Sequence, residues 1–273
     1  MKKTACILLS LSVLSVCFLL TACSKDNADN NPTTGMTRIS EGYAAGAATK
    51  VEIYSKQSLV NTGYNKFYIA LYDSVSGNRV EEAHIHLTPV MDMGMMQHNA
   101  PFENPVSETA SGHLFPCSVT FVMPSGSGNW TLEIEVHNHV TGKEGTLVLP
   151  ITVTDPVIPR QQSFTASHNG AKYFISLIEP SSPRVGINDL ELAIYKKESM
   201  DNWPADSSLT ITMIPEMPSM GHSSPNNVNP VHTGNGHYRG KVNFTMTGLW
   251  RLNLDFMSGT SVADTTQSFD VQF

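Results

Sequence analysis

Two segments of this chain combine thioether and imidazole side chains densely enough to suggest metal chemistry. They are Met91-Asp92-Met93-Gly94-Met95-Met96-Gln97-His98 and Met217-Pro218-Ser219-Met220-Gly221-His222. Methionine mostly fills gaps in cores, so its concentration in Pro- and Gly-rich stretches needs a reason. Thioether and imidazole suit a soft cation, above all Cu(I), and neither requires a thiolate. The candidate ligands are Met217, Met220 and His222 in the second segment, with Met91, Met93, Met95, Met96 and His98 in the first. His113 and His237, each following a glycine at the start of a later strand, are candidates to close each site from across its loop. A structural alternative stays open: the methionines cover the open end of a β-domain. Four methionines within six residues strain it, because adjacent Met95 and Met96 cannot both point inward from an extended chain. A Met-rich adaptable surface for a protein partner also accounts for the excess.

Other residues that could do chemistry are more ambiguous. His84 and His86 share one strand face, but the matching positions later in the chain are Thr210 and Thr212, which favours solvent-facing polar residues. His137 and His139 pose the same question, and His232 is a possible extra ligand. Met123 and Met246 continue the apolar alternation of their strands and read as core. Zinc would ask for Cys, His and carboxylate together, and Asp92, Glu103 and Glu216 are scattered. Gly-x-Ser-x-Gly, His-Glu-x-x-His and Cys-x-x-Cys are all missing, so no enzyme is expected.

The N-terminus has the form of a lipoprotein export signal over residues 1–22. Lys2 and Lys3 precede an apolar run, and Leu20-Thr21-Ala22-Cys23 closes it, with Cys23 as the lipidated residue. The apolar run is shorter than the roughly 20 residues that span a bilayer. The expected location is the cell envelope, anchored by lipid to the outer membrane and facing periplasm or cell surface. Cys6 and Cys17 fall inside the signal, which leaves Cys117 in an apolar strand, read as a buried thiol without a disulfide partner. The formal net charge of −7 and the lack of any basic run argue against nucleic acid.

Residues 23–47 are rich in Asn, Asp, Thr, Gly and Ala and are expected to form a flexible tether. Beyond them the chain repeats itself, the signature of duplicated units. Asn65 to Tyr72 parallels Asn188 to Tyr195, Asn104-Pro105-Val106 answers Asn229-Pro230-Val231, and Gly112-His113 answers Gly236-His237. Val119 to Met123 answers Val242 to Met246, followed by Trp130 and Trp250. Short alternating strands such as Leu132, Ile134 and Val136 against Glu133, Glu135 and His137 predict an all-β fold. The expected architecture is two tandem immunoglobulin-like β-sandwiches, residues 48–155 and 163–273, parted where Pro156 and Pro159 interrupt the pattern. Pro89, Pro101 and Pro105, like Pro215, Pro218, Pro225 and Pro230, are expected to keep each Met/His segment in a long loop.

Ile214 to His222, with Gly236-His237-Tyr238, Val242 to Met246 and Gly248 to Leu252, resembles the YtkA-like family, related to FixH. The resemblance covers most of residues 163–273. It implies an immunoglobulin-like envelope domain and copper handling, in which Met217, Met220 and His222 match the family's Met-Pro-x-Met-x-His loop. The first half departs, because Met91-Asp92-Met93-Gly94 lacks the inner proline. FixH-type proteins also carry a transmembrane helix, so their role in oxidase assembly does not transfer. Two functions follow as expectations. One is a lipid-anchored Cu(I)-binding protein that exchanges copper with an envelope partner. The alternative is a tandem module binding an envelope protein or surface ligand without metal.

Overall fold

A computed structural model describes residues 31–273. The export signal, Cys23 and the first part of the expected tether lie outside the described residues. Among those described, every regular element is a β-strand.

The first sandwich comprises β1 (Thr37–Ala44), β2 (Thr49–Ser55), β3 (Val60–Asn61), β4 (Gly63–Asp73), β5 (Ala83–Asp92), β6 (Gln97–Asn99), β7 (Phe102–Glu103), β8 (Phe115–Phe121), β9 (Asn129–Asn138), β10 (Lys143–Ile151) and β11 (Val153–Thr154). The second comprises β12 (Gln161–Thr165), β13 (Lys172–Glu179), β14 (Gly186–Lys197), β15 (Leu209–Met217), β16 (His222–Ser223), β17 (Val228–Gly234), β18 (His237–Phe244), β19 (Leu249–Ser258) and β20 (Ser261–Gln272).

Each sandwich has a five-stranded and a four-stranded sheet, ordered β1-β2-β4-β8-β7 and β10-β9-β5-β6, then β12-β13-β14-β18-β17 and β16-β15-β19-β20. Taking β2, β4, β8 and β7 as A, B, E and D, and β5, β9 and β10 as C, F and G, gives the immunoglobulin order with an extra outer strand on each sheet, β1 and β6. The second sandwich repeats the order of both sheets, while the short parallel pair β3–β11 occurs in the first alone among the described strands. Period-two alternation builds each core. In β9, Trp130, Leu132, Ile134 and Val136 are buried while Glu135 and His137 are exposed. Burying one such aliphatic side chain contributes about 1.5–3 kcal/mol.

The duplication extends to single hydrogen bonds. The Asn65 side chain closes a turn on Asn61 and Gly63, and that of Asn188 does the same on Arg184 and Gly186. The indoles of Trp130 and Trp250 donate to the carbonyls of Met123 and Met246 at 2.9 and 3.0 Å.

Two expectations need correction. Thr37–Ala44, read as tether, is strand β1, paired with β2 from Thr37↔Ser55 to Ala44↔Thr49. It is an outer strand, so its residues are mostly polar, and Arg38 and Glu41 form ion pairs along it. The prolines also do not exclude strand: Pro89 lies inside β5 and Pro215 inside β15. The amide of Leu87 turns away from β9 to the Asn104 side chain at 2.8 Å. Pro89, two residues on, turns its nitrogen to the same side, so no ladder bond is lost. Met213 and Asn229 repeat the arrangement ahead of Pro215 at 3.0 Å.

Candidate metal centre

The longer β5 and β15 place the first residue of each Met/His segment in a sheet. Met91 pairs with His98 on one side and Trp130 on the other, so the three side chains form a row on the inner face. Met91 and Trp130 are buried, His98 is 6% exposed, and the His98 and Trp130 rings meet edge to face at 5.3 Å. Met123, just past the end of β8, approaches this row from the opposite sheet. Its Sδ lies 3.3 Å from His98 Nε2, and His98 Nδ1 lies 2.9 Å from the Asn99 carbonyl oxygen.

That carbonyl can only accept, so in the neutral ring Nδ1 carries the proton and Nε2 is a lone pair. A nitrogen lone pair then faces a thioether sulfur with no hydrogen between them. A ligating histidine typically donates its other N–H to a carbonyl or carboxylate in this way. A cation bonded at about 2.0 Å to nitrogen and 2.3 Å to sulfur would see these donors at an angle of about 100°.

The second sandwich repeats the row. Met217 pairs with His222, and Glu216↔Arg251 sets Met217 beside Trp250. The His222 and Trp250 rings lie 5.9 Å apart. Met217 is buried, and its Cε closes on Gly248, where a Cβ would stand 2.9 Å away. Met220 lies on the turn, 59% exposed, with its amide bonded to the Met217 carbonyl.

The remaining expected ligands separate. Met93 packs partly buried over Gly128, whereas Met95 is fully exposed and Met96 is 48% exposed. Met91 and Met217 are core residues with sulfurs in the inner layer. Met123 and Met246, read as core, lie at the tips: Met123 is partly buried and packs on the core of the first sandwich, whereas Met246 is 38% exposed. The continuing alternation of their strands hid that position. Their matched places ahead of Trp130 and Trp250 were the usable signal.

His113 and His237 do not close these sites. His113 precedes β8 and His237 opens β18, the strands whose far ends lead to Met123 and Met246, so more than about 20 Å of strand intervenes. Nor are they equivalent. Phe115 pairs with Ile69 and Tyr238 with Leu192, which puts Leu114, not His113, at the place of His237. His113 is exposed and bonded to Glu81 at 2.7 Å. His232 is exposed on β17, against Tyr238 at that same far end.

His237 instead joins the sandwiches. Its Nε2 bonds Glu103 Oε1 of the first at 2.7 Å and its Nδ1 bonds Glu191 Oε1 of the second at 2.8 Å. Glu103 also accepts from Tyr64, Ser118 and Tyr195. Tyr64, Glu103, Glu191, Tyr195 and His237 line a cleft of about 700 Å³. Burial opposes the charged ring, but the bonds to Glu103 and then Glu191 outweigh it and push His237 up to about 9. Burial opposes the Glu103 carboxylate too, and the His237 bond outweighs it, lowering its pKa. For Glu191 the His237 bond is the leading cause of the lowering. Glu103 and His237 are far apart in sequence, and no spacing rule links them. Among the described residues no group of three or more His, Cys, Asp or Glu side chains stands ready to hold a metal ion, so any site at the tips depends on thioethers.

Among solved structures, domains 5–6 of the S-layer protein SbsC are 16% identical, covering 86% of this chain and 99% of that one with a TM-score of 0.29. InvD of Yersinia pseudotuberculosis is 16% identical over 88% of this chain and 57% of its own, with a TM-score of 0.25. A conserved domain protein from Bacillus anthracis is 10% identical over 89% and 90%, with a TM-score of 0.29. Likeness at that level carries no further argument. No curated protein matches the chain. Residues 167–255, within the second sandwich, match the family model described as YtkA-like.

Proposed function

We propose that this chain is an envelope protein that takes up Cu(I) as cargo through the tips of its sandwiches, in a chaperone, buffer or resistance role without catalysis. The observation that carries the reading is the His98–Met123 pair. A lone-pair nitrogen and a thioether sulfur lie 3.3 Å apart beside a buried indole, with the imidazole oriented by a backbone carbonyl. Nitrogen and thioether donors favour Cu(I) over harder cations. Lipid at Cys23 would hold the protein at the membrane, and Cys23→Ala should move it to the soluble fraction.

The test is titration of the reduced full-length chain with Cu(I) against a competing chelator. His98→Ala and Met123→Leu should each weaken binding by about tenfold or more, no less than outer-shell changes do at metal sites. Affinity unchanged in both variants would sink the copper reading.

The exposure of Met95 and Met96 favours a second role for the same tip, as an adaptable contact for an envelope protein that donates or receives copper. Met95→Ser with Met96→Ser should leave Cu(I) affinity alone and slow transfer to such a partner. A transfer rate equal to wild type would count against that role.

A further inference from the structure

We propose that the first sandwich carries a separate metal site at the end away from Met91. It is formed by His84, His137, His139 and Glu108 and takes a borderline divalent cation of the Cu2+ and Zn2+ class. His84 and His137 are directly paired across β5 and β9. Their neighbours Ile85 and Val136 are buried, so both imidazoles stand on the outer face. Directly opposed residues hold their Cβ atoms about 4.5–5.5 Å apart, within reach of one ion for two imidazoles. The His137 and His139 rings lie 4.9 Å apart.

Glu108 faces the group from a third segment. Its Oε1 lies 3.2 Å from His84 Nδ1 and its Oε2 lies 3.9 Å from His139 Nδ1. Backbone bonds fix all three segments, from the His139 amide to the Glu82 carbonyl and from the Ala83 amide to the Glu108 carbonyl. Two ligands at about 2.0–2.1 Å from one ion stand about 3.2 Å apart, the separation seen for His84 and Glu108. The donors do not yet share a centre. Glu108 holds the His84 imidazole by a hydrogen bond and stands 3.9 Å from that of His139, and His84, His137 and His139 are exposed enough to turn without disturbing the core.

Exposed imidazole–carboxylate pairs alone contribute little to stability, which leaves three histidines on one patch without a structural reason. The corresponding pair in the second sandwich is Thr210 and Met257, so the donor set is not a requirement of the fold. With imidazole and carboxylate and no thioether, the set fits Cu2+ or Zn2+ rather than Cu(I).

The experiment titrates the full-length chain, without reductant, with zinc sulfate by calorimetry and with copper sulfate by electron paramagnetic resonance. The expected result is one ion at this site, held more tightly as Cu2+ than as Zn2+, with nitrogen hyperfine structure from imidazole. His84→Ala, His137→Ala and His139→Ala should each weaken it by about tenfold or more, and Thr210→Ala should not. Binding indifferent to all three histidines, or no stoichiometric uptake of either ion, overturns the proposal. His84→Ala should leave Cu(I) affinity unchanged, so this site and the tip sites can fail independently.

Discussion

At His98 the position of one proton separates a ligand from a core side chain. The Asn99 carbonyl draws that proton to Nδ1 and leaves Nε2 open toward the Met123 sulfur. Met91, one pairing position away, has its thioether in the core and contributes packing. Cys117 is the opposite case from His98. It is buried, and burial with the nearby Glu103 charge pushes its thiol up to about 12. Only the thiolate reacts readily, so alkylation of Cys117 in the folded chain should proceed no faster than global unfolding. Prompt labelling under native conditions would contradict this placement.

Among the elements, the segment after β5 is held to the sheet by an asparagine side chain as well as by the short β5–β6 pairing. Asn104 takes the Leu87 amide and Asn229 takes that of Met213, at the matching place in each copy. Asn104→Ala should cost about 1 kcal/mol in urea denaturation, the net worth of one hydrogen bond. Asn229→Ala should cost a similar amount. A change within error at both positions would mean that water replaces the asparagine freely. Pro89 fits β5 because its nitrogen faces the side Asn104 serves, which is why its presence misled the reading of a loop there. Strand β1 escaped notice for a related reason. An outer strand needs few apolar residues, and pairing with β2 gives its polar sequence a place.

For the molecule as a whole, the junction depends on the charge of His237. Its pKa in the folded protein, about 9, lies above the ordinary histidine value near 6.5, so the stabilisation is complete below about 6.5 and is lost as pH rises through about 9. At most about 3.5 kcal/mol is at stake, at roughly 1.4 kcal/mol per pKa unit. On the acid side Glu103 and Glu191 have lowered pKa values, so their contribution holds above the ordinary carboxylate range and fades as pH falls below it. Wild-type stability should therefore decline between pH 6.5 and 9 more steeply than that of His237→Gln. Parallel profiles for the two chains would show that the ring does not carry the link.

The primary structure alone determined the all-β class and the doubling of one strand pattern, because period-two alternation and matched Asn, Pro and Trp positions are local. It also marked the segments that hold His98 and His222, since thioether and imidazole cluster there in sequence. It could not say which methionine sulfur meets which imidazole. Met91 and Met123 differ in role through sheet register and packing between sheets, which no spacing along the chain encodes. The one-residue offset between His113 and His237 shows the same limit, because a shift of one position moves a side chain to the other face of a strand. The bond from His237 to Glu103 arises only when two separately legible sandwiches are brought together.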